Sequence, residues 1–133
     1  MYIDIESGVE AKLDVKGEVT FNSNGFAGMY PFLDPNSKLD IVVDNSASLN
    51  LDQNGSNAFR NSGFYANVYS VAELIVDVKG GGSFKSCGNT QFDISGEVVA
   101  SATATFSGTG YTCDQAVFNG GGTVVGPVCQ DCT

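Results

Sequence analysis

The chain contains no histidine and no tryptophan, only three prolines, and six basic residues against fifteen acidic ones. Without histidine the Ser/His/Asp and Cys/His arrangements of nucleophilic catalysis cannot form, and general base work would fall to a carboxylate or a lysine with a shifted pKa. No enzymatic activity and no cofactor are expected. The shortage of lysine and arginine leaves a net charge of -9 at pH 7, which repels polyanions, so nucleic acid is not an expected partner. No run approaches the ~18 consecutive apolar residues of a membrane helix, and no membrane span is expected. The opening "MYIDIESG" also lacks the basic flank and apolar block of a signal peptide. Two explanations compete, a secreted chain whose leader has been removed and a protein that leaves the cell without one. The first is preferred because of the cysteines.

Those cysteines form an even set, Cys87, Cys113, Cys129 and Cys132, all in the second half. Disulfides persist mainly in oxidising compartments, which points to a secreted, extracellular or cell-surface protein, with a virion surface as the alternative. A redox reading of "CQDC" would need its first sulfur at a helix N-terminus, yet one residue follows Cys132 in the sequence. Structural zinc draws on two short-spaced pairs, whereas Cys87 and Cys113 are single. Two disulfides are expected. The preferred connectivity ties Cys87 and Cys113 each to one cysteine of the tail, pinning the C-terminus; a local Cys129–Cys132 bridge with Cys87–Cys113 is the main rival.

A phrase is repeated. "DVKGEVTFNSNG" at 14–25 returns as "DVKGGGSFKSCG" at 77–88, an offset of 63 that matches Asp14/Asp77, Val15/Val78, Lys16/Lys79, Gly17/Gly80 and Phe21/Phe84. A second block pairs "LDIVVDNSAS" at 39 with "FDISGEVVAS" at 92, and a third pairs Phe59, Gly63 and Phe64 with Phe106, Gly110 and Tyr111. The chain therefore reads as two tandem units, 9–69 and 71–125, with "FAGMYPFLDP" (26–35) inserted in the first. Residues 1–8 form an N-terminal extension strand and 126–133 a cysteine-bearing tail. Units this short have marginal cores alone, so the 133 residues make a single domain.

Within the blocks apolar and polar residues alternate with the period of two that sends neighbouring side chains to opposite faces of a strand. Leu39, Ile41, Val43, Ala47, Leu49 and Leu51 oppose Asp40, Asp44, Ser46, Ser48, Asn50 and Asp52. Ala72, Leu74, Val76 and Val78 oppose Glu73, Asp77 and Lys79. Between the runs lie turn formers such as "DPNS", "KGGG" and "NGGG". Strands with one wet face and polar turns predict an all-β domain, an antiparallel β-sandwich or flattened barrel of about eight to ten strands.

The acid pairs Asp40/Asp44 and Asp93/Glu97 fall on the expected solvent faces and read as solubilising charges rather than a glycosidase pair. "DQNGSN" places Asp52, Asn54 and Ser56 at alternating positions as in a calcium loop, but the Gly comes too early and no bidentate Glu follows, so a turn is preferred and no metal is expected. Asn54 also heads the one glycosylation sequon. The aromatics of "FRNSGFYANVY" suit a sugar-stacking platform, but their match to Phe106 and Tyr111 favours core positions. The terminal strand, with Met1, Ile3 and Ile5 on one side, is left over for assembly by strand addition. The expected function is a non-enzymatic extracellular structural protein that self-assembles through this strand into a filament or pilus, as a homopolymer or homo-oligomer. No small-molecule site is expected. A viral structural or decoration protein and a carbohydrate- or calcium-dependent adhesion module are the alternatives.

Overall fold

The alternating runs become short β-strands in the computed structural model, which describes residues 1–23, 27–53, 62–88 and 93–132. They follow one another in five circuits of three. The first circuit is β1 (Tyr2–Ile5), β2 (Glu10–Val15) and β3 (Glu18–Ser23); the second is β4 (Ala27–Leu33), β5 (Lys38–Val43) and β6 (Ser48–Gln53). The third is β7 (Ser62–Val68), β8 (Glu73–Val78) and β9 (Ser83–Gly88); the fourth is β10 (Ile94–Val98), β11 (Thr103–Gly108) and β12 (Tyr111–Thr112). The last is β13 (Ala116–Asn119), β14 (Thr123–Val125) and β15 (Cys129–Gln130).

Each strand pairs with its counterpart one circuit away. This builds three five-stranded sheets: sheet A (β1-β4-β7-β10-β13), sheet B (β2-β5-β8-β11-β14) and sheet C (β3-β6-β9-β12-β15). Every ladder in them is parallel. The molecule is a three-sided parallel β-solenoid, and the expected antiparallel sandwich or flattened barrel is wrong. Parallel neighbours need a connection of a dozen or more residues. Here the rest of a circuit supplies it: Tyr2 lies opposite Tyr30, Ala27 opposite Ser62, Phe64 opposite Ile94 and Ile94 opposite Ala116, circuits of 28, 35, 30 and 22 residues. The three sheets enclose one interior, so each keeps one dry face and one wet face, with no helix covering it among the described residues.

The repeated phrase is explained by this register. Asp14 pairs with Val42 and Val42 with Asp77, so shifts of 28 and 35 residues make up the offset of 63. Beyond the following corner the phrase no longer stacks. Lys16 and Gly17 alone join β2 to β3, whereas four residues join β8 to β9. Val19, rather than Phe21, therefore lies in line with Leu49 and Phe84. The second matched block puts Ile41 in β5 of sheet B and Ile94 in β10 of sheet A. Of the segment read as an insertion, Ala27–Leu33 is β4, and residues 2–5, read as an extension, are the first strand of sheet A.

Most corners described are four-residue turns closed by a bond from the fourth N–H to the first carbonyl: Val9 to Glu6, Ser37 to Asp34, Ala47 to Asp44, Ala72 to Tyr69, Gly82 to Lys79 and Ala102 to Val99, at 2.8 to 3.2 Å. In five of these the third residue alone has positive φ, the type II requirement: Gly8, Asn36, Ser46, Val71 and Gly81. "DPNS" supplies this chemistry directly, with Pro35 fixing the second position and Asn36 tolerating the third.

Inside, side chains stand on their counterparts. Sheet B stacks Leu13, Ile41, Val76 and Phe106, and sheet C stacks Val19, Leu49, Phe84 and Tyr111. The middle circuits are fully covered, with Ile41, Leu49, Phe64, Leu74, Val76 and Phe84 all at 0% exposure. From the third circuit onward the interior is aromatic: Phe64 meets Phe84 and Phe106 with centroids 5.6 and 5.9 Å apart, and Phe84 meets Tyr111 at 5.5 Å. The Tyr111 hydroxyl is driven well above its ordinary pKa by burial and by the charge of Asp77, and it donates to the Ser107 carbonyl at 2.8 Å. Among the described residues no helix is long and apolar enough to cross a membrane.

Two outcomes follow from the corners. Val71 is β-branched, 63% exposed and held at φ 61°, a conformation that costs an L-residue about 1–2 kcal/mol. After the greater flexibility of unfolded glycine is subtracted, Val71→Gly raises unfolding stability by up to about 1 kcal/mol in a urea titration. On the far side of sheet B, Asp77 accepts from Lys79 at 2.6 Å and from Ser107 at 3.1 Å. The bond from Lys79, with a smaller one from Ser107, holds its carboxyl below the ordinary range against the opposing effect of burial. The stabilisation is complete above the ordinary carboxylate range and disappears as pH falls through the lowered folded value. A carboxyl NMR titration of Asp77 shows that low value, and Lys79→Met moves it up.

Candidate functional site

On each strand of sheet A the residues between the inward ones point outward, and the parallel register sets them in rows. Tyr2 is opposite Tyr30, and Asp4 is opposite Phe32, which is opposite Asn67. Tyr65 is opposite Ser95, and Asn67 is opposite Glu97. The first corner adds Tyr69 beside Phe32. The resulting aromatic patch is continuous: Tyr2 lies 5.2 Å from Tyr30 and 6.4 Å from Phe32, Tyr30 is 6.2 Å from Phe32 and 5.4 Å from Tyr65, and Phe32 is 5.2 Å from Tyr69. The rings meet edge to face or tilted, as aromatic quadrupoles prefer. The Asn67 amide donates to the Tyr30 hydroxyl at 2.5 Å and fixes that ring. Tyr2 is 59% exposed, Tyr30, Phe32 and Tyr69 are half-buried, and Tyr65 is buried. Desolvation, then the charges of Asp4 and Asp34, hold the Tyr2 hydroxyl above its ordinary value.

A second constellation closes the other end. Cys87 bonds Cys132 and Cys113 bonds Cys129, so each of the two isolated cysteines holds one cysteine of the tail. Buried Asp93 accepts the Asp114 N–H at 2.6 Å, and Asp114 in turn accepts the Cys132 N–H at 2.9 Å. The Ser86 hydroxyl donates to the Asp93 carbonyl. Asp93, Asp114 and Cys132 lie close enough to hold a metal ion, but the sulfur is spent in a disulfide and the carboxylates are engaged by backbone N–H groups. The cluster is a clasp on the tail. Asp93, expected on a solvent face beside Glu97, is only 4% exposed for this reason, while Glu97 is exposed as expected.

An open cleft of about 360 Å³ runs between Gly108–Tyr111 and Val128–Gln130. Tyr111 lines it, but that side chain is 1% exposed and its hydroxyl donates to the Ser107 carbonyl. Asp40 lies on β5 of sheet B and Asp44 in the corner after it. Of the calcium candidates, Asp52 belongs to β6, whereas Asn54 and Ser56 lie outside the described residues, as does the sequon at Asn54. Of the terminal-strand residues, Ile5 is 7% exposed, Ile3 half-buried and Met1 46% exposed. Strand β1 pairs with β4 of its own chain, leaving its outer edge free of any strand among the described residues.

The aromatic run that suggested either a platform or a core is divided. Phe64 enters the core at 0% exposure, and Tyr65 and Tyr69 join the outer patch, while Phe59 lies outside the described residues. Tyr2, Tyr30 and Phe32 escaped sequence reading because partners separated by a whole circuit share no local motif. Comparison with protein-family models, with curated proteins and with solved structures returned no match.

The two disulfides close loops of 45 and 16 residues, for which chain entropy gives about 4 and about 3 kcal/mol. Replacing Cys113 and Cys129 with serine lowers unfolding stability by up to the smaller amount. Replacing Cys87 and Cys132 costs more, and paired urea titrations measure the order.

Proposed function

We propose that the chain is a non-enzymatic, extracellular structural subunit that lengthens its solenoid by stacking head to tail on copies of itself. One observation carries this reading. The first circuit presents the outer edges of β1, β2 and β3 together, with no strand beyond them among the described residues. Its inward Ile3, Ala11, Leu13, Val19 and Phe21 are only partly covered, whereas their stacked counterparts Leu39, Ile41, Leu49 and Leu51 are at 0–1% exposure. Unpaired edges of this kind are templates for another chain. The fifth circuit offers the complementary edges of β13, β14 and β15 in the same parallel sense. A copy placed there continues three ladders and covers the half-buried side chains in one step.

The two surfaces differ, so the contact is heterologous and produces an open fibre when the rotation does not close. Two disulfides suit a protein that works in an oxidising compartment. The terminal strand named from the sequence keeps a part in this scheme, now as one of three edges rather than an added strand acting alone.

Negative-stain microscopy and sedimentation across a concentration series test the reading. The expected result is fibres or a rising association state, favoured by added salt because screening relieves the repulsion between copies of charge -9. Leu13→Asp with Phe21→Asp, which points charges inward at the edge, keeps the chain monomeric, as does removal of residues 1–7. A wild-type chain that stays monomeric at every concentration and salt level overturns the proposal.

A further inference from the structure

The charges are divided between the sides of the solenoid. The four ion pairs of the described residues, Lys12–Asp14, Lys16–Asp44, Lys38–Glu73 and Lys79–Asp77, all lie on sheet B and the corner that follows it. Sheet A and the corner after it carry Asp4, Glu6, Asp34 and Glu97 and, among the described residues, no lysine or arginine; the cation there is the terminal ammonium of Met1, which donates to the Gly28 carbonyl at 2.7 Å. None of these four carboxylates has an ion-pair partner there. Two of them flank the aromatic patch: Asp4 is opposite Phe32 in the ladder, and Asp34 follows β4 directly.

Unpaired carboxylates beside partly exposed aromatic rings attract cations, because the ring quadrupole and the carboxylate charge act in the same sense. An anionic ligand is repelled by the same arrangement. The ring centroids are only 5.2 to 6.4 Å apart, so the rings close on one another and leave no slot for an isolated ammonium. A ligand has to lie across them, packing C–H groups against the rings while bringing its charge to the rim. A pyranose carrying an amine does both.

We propose that the outer face of sheet A binds a cationic amino-sugar polymer, whose sugar rings pack against exposed Tyr2 and its half-buried neighbours Tyr30, Phe32 and Tyr69 and whose ammonium groups are held by Asp4 and Asp34. The surface is a face rather than an edge, so it stays open whether or not copies stack.

The chain has five tyrosines and no tryptophan, so tyrosine emission reports directly on the patch. Titration with a glucosamine tetrasaccharide at mildly acidic pH, where amines and carboxylates are both charged, is expected to change that emission and to weaken with added salt. Loss of a charge-assisted bond predicts about tenfold weaker binding for Asp4→Asn with Asp34→Asn. Tyr2→Ser weakens it as well, and Lys16→Gln on the opposite side leaves it unchanged, with folding of each variant checked by circular dichroism. The proposal is overturned by any of three results: no binding, equal binding of the N-acetylated tetrasaccharide, which carries no ammonium, or equal binding of tetralysine, which carries charge without sugar rings. Wild-type affinity in the Asp4/Asp34 double variant also overturns it.

Discussion

The vertical register between circuits is the constraint on which the rest of this molecule depends. Parallel hydrogen-bond ladders set each inward side chain on its counterpart one circuit away, as in the stack of Leu13, Ile41, Val76 and Phe106. A slip of one residue would turn every apolar side chain outward. The corners protect that register. Where circuits differ in length, the difference is taken up between strands, as in the two-residue joint after β2 and the four-residue joint after β8. The same register that builds the core also builds the outer rows, and so assembles an aromatic surface from residues far apart in sequence.

Much of the inside-outside pattern was legible from alternation alone. Leu39, Ile41, Val43, Ala47, Leu49 and Leu51 read as one face and are all buried. What alternation does not carry is strand direction. It also conceals corners: a four-residue turn such as Asp44–Ala47 preserves parity, so the run from Leu39 to Leu51 reads as one strand although it is β5, a corner and β6. An antiparallel sheet with one wet face is the ordinary reading of that pattern. A solenoid produces it as well, because its sheets share one interior. Of the repeated blocks only the start of the phrase follows the architecture: Asp14 and Asp77 stand two circuits apart in one row, whereas Ile41 and Ile94 lie in different sheets.

Of the candidate surfaces, the tail was the more legible. Four cysteines with two at the end of the sequence suggest that the tail is tied to the body, and Cys87 and Cys113 each hold one tail cysteine. The Asp93 clasp was hidden, since a carboxylate in an alternating run looks solvated until its backbone N–H partner is seen. The division of charge was hidden too. A net charge of -9 conceals the fact that lysines neutralise one side while another side keeps its carboxylates unpaired beside the rings.

The placement of the crosslinks has a mechanical meaning. Cys87 sits on the third circuit and Cys132 beyond the last strand, one residue from the end of the sequence. Tension applied between a point before Cys87 and a point after Cys132 therefore passes straight from one cysteine to the other and bypasses the 44 residues between them. The last two circuits stay slack under load. The first three, up to Cys87, are held by hydrogen bonds and packing alone and are the part that can pay out length, so the oxidised protein is an extensible spring joined to an inextensible cap.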